Sequence, residues 1–187
     1  MHCGDGNEAL RPYLYMPVTG DRELDETIRG MALAFGIDHI VIDQARPEGG
    51  PSVYTDKTAL DRGIPALTTE TGQLGSNDPR WVKMAERGVW NLLRHLAMVE
   101  GTVDHSGEVV WLEDYQVVAS PSAGIFRATV RDGYLVAEGG TLGVLVDFFG
   151  DPVQEIAAPF SGVVNYVIGT PPVSEGEPVA MLSRVRN

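Results

Sequence analysis

The chain has 187 residues, 43% hydrophobic and 21% charged, a composition that suits a folded protein of one large domain or two small ones. Its 26 acidic against 14 basic residues leave a net charge of −12, a field that repels polyphosphate backbones and anionic lipid and so argues against nucleic acid or a membrane surface as partner. Cys3 is the only cysteine, which excludes an internal disulfide and a four-cysteine zinc module; no apolar run reaches the roughly eighteen residues of a membrane span and no signal peptide is legible, so a cytoplasmic setting is expected.

Residues 21–35 place Leu24, Ile28, Met31 and Phe35 three or four apart, with acids in the first turn and Gly36 just past the end, the pattern of an amphipathic helix. Ile37 to Asp43 is a β-branched run and reads as a strand. Ile64 to Glu70 reads as a second strand, one that ends on a carboxylate. Asp78-Pro79 is a cap followed by a first-turn proline, and Val82, Ala85, Val89, Leu92, Leu93 and Leu96 then form one apolar face up to about Val99,. Helices alternating with strands predict an α/β layer with a largely parallel sheet over residues 1–105.

From about residue 106 no helical period survives, and short β-rich stretches alternate with Gly, Pro and Asp, which predicts an all-β domain over 106–187. It contains a repeat. Ala119-Ser-Pro-Ser-Ala-Gly124-Ile-Phe matches Ala157-Ala-Pro-Phe-Ser-Gly162-Val-Val, and Val136-Ala-Glu-Gly139 matches Val173-Ser-Glu-Gly176. Two copies of one β unit predict a pseudo-symmetric barrel or sandwich in which each copy closes the other's open edge. The repeat resembles the biotinyl/lipoyl carrier fold, whose lysine sits on the hairpin between the halves. The only lysines here are Lys57 and Lys83, so the expected role of the domain is structural.

Two segments could carry chemistry: His2-Cys3-Gly4-Asp5 at the start, and Glu70-Thr71-Gly72 after the second strand. A carboxylate at a strand's C-terminal end lies where open α/β sheets place their crevices, but position alone also suits a solvated strand-end acid. Arg11-Pro-Tyr13-Leu-Tyr15 reads equally as a pocket wall or as a turn with packed tyrosines. His39 and His95 sit among apolar residues without partners at metal-ligand spacing and read as packed or surface histidines. Cys3 has no ordered base that would make it a nucleophile.

Taken together, the two segments and the region around Pro159-Phe-Ser-Gly162 resemble the succinylglutamate desuccinylase/aspartoacylase family, whose catalytic domain is similar to that of zinc carboxypeptidases. In that family an Asp-Leu-His-Gly-Gly-Asp type motif supplies a zinc ligand, which His2 matches, and a later Glu-x-Gly supplies the general base, which Glu70 matches. The resemblance implies a partial carboxypeptidase-like α/β domain followed by the β domain, a bound Zn2+, and hydrolysis of an amide bond of an N-acyl amino acid or similar small substrate. By the same likeness Tyr54 is a candidate for substrate contact, against the plainer reading of a structural tyrosine. Arg46 and Arg62 are the cations nearest in sequence to the two motifs and are candidates to meet a substrate carboxylate bidentately.

The family's His-x-x-Glu motif, which carries its other two zinc ligands, has no counterpart before Glu70. His105-Ser-Gly-Glu108 has the spacing but the wrong order, and reads as an exposed turn. A motif met at residue 2 therefore points to an N-terminally truncated member or fragment. The alternative is a non-catalytic remnant or binding module lacking a complete metal site. An unpaired sheet edge would also favour association into a homo-oligomer.

Overall fold

The computed structural model describes residues 1–44, 54–104 and 107–186. In chain order it contains β1 (Glu8–Leu10), β2 (Tyr13–Val18), α1 (Arg22–Phe35), β3 (His39–Gln44), α2 (Thr55–Leu60), β4 (Thr68–Glu70), α3 (Pro79–His95), β5 (Val110–Ala119), β6 (Gly124–Ala128), β7 (Leu135–Val136), β8 (Thr141–Val146), β9 (Pro152–Ala157), β10 (Gly162–Ile168), β11 (Pro172–Val173) and β12 (Pro178–Val185). They divide into two compact units: residues 1–2, 12–71 and 77–111 form unit 1, and residues 3–11, 72–76 and 112–187 form unit 2. Together they make a mixed α/β chain. Among the described residues, no helix is long and apolar enough to cross a membrane.

In unit 1 the strands run in the order β3-β2-β4. Strand β2 pairs β3 in parallel, Leu14 opposite Ile40, but pairs β4 antiparallel, Tyr13 opposite Glu70 and Leu14 opposite Thr69. The expected largely parallel sheet is thus mixed at this edge. The expected strand over 64–70 forms only at its last three residues, and Tyr13 to Tyr15 is strand rather than turn. Side chains alternate across the sheet. Leu14, Met16, Ile40 and Ile42 join Ile28, Ala32 and Phe35 of α1 in one core, while Tyr13 and Tyr15 face the other way.

Local chemistry sets the helix ends. The Asp21 carboxylate accepts from the amides of Glu23 and Leu24, and Gly36 closes α1 in the left-handed conformation that glycine adopts without strain,. Asp78 caps α3 through the amide of Arg80. The Asn91 side chain, fully buried, donates to the carbonyl of Asp104 and accepts from its amide, both at 3.0 Å, tying α3 to the segment that follows it. The helices approach closely at Gly88, where an added Cβ would stand 2.4 Å from the Phe35 ring.

In unit 2 the sequence repeat becomes a structural one. The first copy folds as β6-β7-β8 and the second as β10-β11-β12. Strand β7 of the first pairs with β10 of the second, and β11 of the second pairs with β6 of the first. The turns match atom for atom: Gly139 N–H donates to Ala158 O and Gly176 N–H to Ser120 O, while Ala158 N–H donates to Gly140 O and Ser120 N–H to Glu177 O. Gly139 and Gly176 have φ of 75° and 79°, a conformation open to glycine and costly for other residues. The enclosed core includes Phe126, Leu142, Leu145, Val164, Val179 and Leu182. One polar pair interrupts it, the Ser183 hydroxyl donating to Asn165 Oδ1 at 2.7 Å. Burial first, then the nearby carboxylates of Glu8 and Asp5, raises the Tyr166 phenol above its ordinary range,.

Candidate functional site

His2 and Glu70 are 68 positions apart in sequence and meet in unit 1. The backbone brings them there. His2 N–H donates to Thr69 O at 2.7 Å and Thr71 N–H donates to His2 O at 2.9 Å, making a parallel bridge between His2 and Glu70 on the outer side of β4. The side chains then converge, with His2 Nδ1 3.0 Å from Glu70 Oε2. The imidazole is about half exposed and the carboxylate is 10% exposed, so one partner is open to solvent while the other is held in the fold. A hydrogen bond with an ionised partner is stronger than a neutral one and fixes orientation.

Across the ladder, Glu70 lies opposite Tyr13, a directly facing pair whose side chains share one side of the sheet. Tyr13 is buried and packs edge-on against Tyr15, ring centres 5.2 Å apart and planes at 81°, with their hydroxyls 3.3 Å from each other. The Arg11 to Tyr15 segment thus contributes a strand with two packed tyrosines on the face that carries the acid. Sequence reasoning missed this strand; its signal was the alternation of Tyr13 and Tyr15 with Leu14 and Met16.

The other candidates fall elsewhere. Tyr54 stands at the cap of α2, mostly exposed, and not on the strands that carry the pair. Arg46 lies outside the described residues, as does His105. The Nδ1 of His39 is 2.9 Å from the neighbouring Asp38 carboxylate, and Cys3 is exposed. Among the described residues no three His, Cys, Asp or Glu side chains gather in a group that could hold a metal ion. Zinc ordinarily takes three protein donors at a catalytic site and four at a structural one; His2 and Glu70 alone do not meet that need, so the described residues do not by themselves fit the metal.

A mixed α/β unit with an imidazole and a carboxylate joined at a strand end, together with a β unit of internal twofold pairing, defines the fold class. That fold is the one seen in solved succinylglutamate desuccinylase/aspartoacylase structures. The chain superposes on such a structure from Rhodobacter sphaeroides with a TM-score of 0.85 at 24% identity, covering 99% of this chain and 57% of that one. For the product-bound ectoine utilization protein EutE (DoeB) of Ruegeria pomeroyi the values are 0.87 and 23%, covering 98% and 56%. For an aspartoacylase family protein of Mesorhizobium loti they are 0.74 and 21%, covering 97% and 55%. The chain therefore spans just over half the length of these solved proteins. No family model and no curated protein matches the sequence.

Proposed function

We propose that this chain carries the acid–base part of an amide hydrolase that removes the acyl group from an N-acyl amino acid or a similar small substrate. The observation that supports the reading is the meeting of His2 and Glu70 at 3.0 Å, in a fold whose solved relatives are named for desuccinylase and aspartoacylase activity. A carboxylate so placed takes a proton from the attacking water and returns it to the departing amine. His2 holds that carboxylate in one orientation while its own imidazole stays about half exposed. A zinc ion, where bound, lowers the pKa of its water to about 7. His2 is our candidate ligand for it, although among the described residues no group of three donors gathers around a metal position. Tyr54 and Arg46 are carried as candidate substrate contacts. With a net charge of −12, an anionic substrate needs local positive charge to approach.

A second reading, a non-catalytic binding module, is favoured by the incomplete donor set. Unit 2 we read as a structural domain of the biotinyl/lipoyl type, a reading supported by the exchange of β7 and β11 between its two copies.

One experiment separates the readings: zinc stoichiometry and amide hydrolysis measured on the chain beside His2→Ala and Glu70→Gln. Hydrolysis that falls at least about 100-fold in Glu70→Gln, with zinc retained, supports the hydrolase. Zinc content unchanged by His2→Ala would remove His2 as ligand, and a chain that neither binds zinc nor hydrolyses any acyl amino acid would favour the binding module.

A further inference from the structure

Helix α3 is positive in a chain of net charge −12. It carries Arg80, Lys83, Arg87 and Arg94, four of the chain's 14 Lys and Arg residues, against the single acid Glu86. Arg80, Lys83, Arg87, Trp90 and Arg94 follow one another at steps of three, four, three and four, the spacing that keeps side chains on one side of a helix. The apolar stripe of Val82, Val89 and Leu96 runs along a different side and is half covered, Val82 being 58% and Leu96 42% exposed; Val89 and Leu92 also line a cavity of about 410 Å³. Nothing on that apolar side selects an occupant, whereas the basic stripe does. It has no anion of its own. The Asp78 carboxylate holds Arg80 at 2.7 and 3.0 Å, but among the described residues no carboxylate pairs with Lys83, Arg87 or Arg94. Arg94 lies over the Trp90 ring at 6.0 Å, and Arg87 Nε is buried without a hydrogen-bond partner. Lys83 and Arg87 are like charges four residues apart, which weakens a helix, and a buried donor left unpaired costs more. An outside anion that meets them recovers both losses.

We propose that the side of α3 carrying Lys83, Arg87, Trp90 and Arg94 binds an acidic segment of a partner protein, rich in Asp and Glu. Length and charge choose that occupant. Lys83 and Arg94 stand about 16 Å apart along the helix axis, so the cations form a track and do not converge on a point as they would around one phosphate or a small carboxylate. A run of carboxylates spans the track, its oxygens accepting from the guanidinium and ammonium groups, while Trp90, 45% exposed, supplies the apolar contact. A short acidic segment needs only the local positive potential, which reaches about 8 Å at physiological salt. Nucleic acid, an anionic lipid surface or a second copy of the chain would meet the whole field of −12 as well,. The proposal stands whether or not Glu70 is catalytic.

The test is fluorescence anisotropy of dye-labelled poly-L-glutamate, about twenty residues long so that it spans the track, titrated with the whole chain at about 20 mM and about 0.5 M salt. The expected result is saturable binding at low salt that weakens at least about tenfold at high salt. The triple variant Lys83→Gln/Arg87→Gln/Arg94→Gln is expected to weaken binding at least about tenfold at low salt. Lys83→Glu alone, at an exposed position, is expected to weaken it in the same direction and keeps the test alive should the triple variant fail to fold. The control Arg22→Gln/Arg127→Gln/Arg131→Gln removes the same charge from three exposed positions off the helix and is expected to bind within about twofold of wild type. Absence of binding at low salt, an equal loss in the control, or binding indifferent to Lys83→Glu would each overturn the proposal. So would a single-stranded oligonucleotide or phosphatidylserine vesicles held more tightly than the peptide, or a homodimer that the triple variant dissolves.

Discussion

In unit 2 the two copies of the β repeat close on each other, and Leu142, Leu145, Val164, Val179 and Leu182 are all fully buried. In unit 1 the sheet and α1 bury Leu14, Ile28, Phe35 and Ile40 just as completely, but Leu67, Met84 and Leu92 only lean against that core half-covered. The difference comes from how each unit is covered. A β repeat that exchanges edge strands completes its own second layer, whereas a helix–sheet layer needs cover on every apolar face it presents. Both units thus have a fully buried centre, with Val118, Val130 and Val136 half-covered at the margin of unit 2 and a wider half-covered margin in unit 1, and substitutions can measure the contrast.

The largest expected effect is in the closed core. Leu182→Ala removes a fully buried side chain and is expected to cost about 2–5 kcal/mol in urea unfolding. Leu92→Ala, on the cavity wall, leaves less new empty space and is expected to cost about 1 kcal/mol. Equal losses at the two sites would break the comparison. Asn91→Ala comes next, because it strips both partners from the Asp104 backbone at a buried position; a loss of about 1–3 kcal/mol is expected, and a neutral result would mean that water satisfies that loop. Gly88→Ala is a smaller and more delicate case. Alanine in place of glycine favours a helix interior by about 1 kcal/mol, but a Cβ 2.4 Å from the buried Phe35 ring forces a shift costing about 1–3 kcal/mol. The expected net is a modest destabilisation, and a rise in Tm would show that α3 is free to move off α1.

The helices were legible because their signals are local. Asp21, Gly36 and Asp78-Pro79 mark ends within a turn of where α1 and α3 stop and start. The repeat in unit 2 was legible because it is written twice, and strand exchange follows once two copies each have an open edge. Strand β2 was not, since Pro12 and Pro17 bracket a Tyr-Leu-Tyr-Met run and read as turn punctuation; the fold admits Pro17 at the end of the strand, where one lost donor is tolerated. Helix α2 has six residues, no side-chain cap and no buried residue, so nothing periodic announces it. The direction of β4 depends on the path of the chain between elements, which no local pattern encodes. His2 and Glu70 were found through motif likeness alone, because a contact across 68 positions leaves no spacing to read. The half-covered stripe of α3 was visible as a stripe, but whether anything covers a stripe is a tertiary fact.

The smallest effect concerns the entry to α1, and it sharpens the comparison because it lies in unit 1 yet is complete in itself. The Asp25 carboxylate accepts from Thr19 N–H and Oγ1–H, each at 2.7 Å, and from Gly20 N–H at 3.1 Å. Partial burial pushes its pKa up, but these three donors outweigh burial and hold it below the ordinary carboxylate value,. A depressed pKa means that the folded state prefers the ionised form. The stabilisation is therefore present above about pH 4, the unfolded carboxylate's range, and drains away as pH falls through the lower folded value. Asp25→Asn keeps one acceptor and loses the charge, so its expected cost is about 0.5–1 kcal/mol near neutrality. The gap from wild type should narrow below about pH 4 and close once Asp25 itself is protonated. Thermal melts of both proteins between neutral pH and the acid limit of folding check this. A gap that stays constant with pH would show that the loop is held by shape rather than by the charge of Asp25.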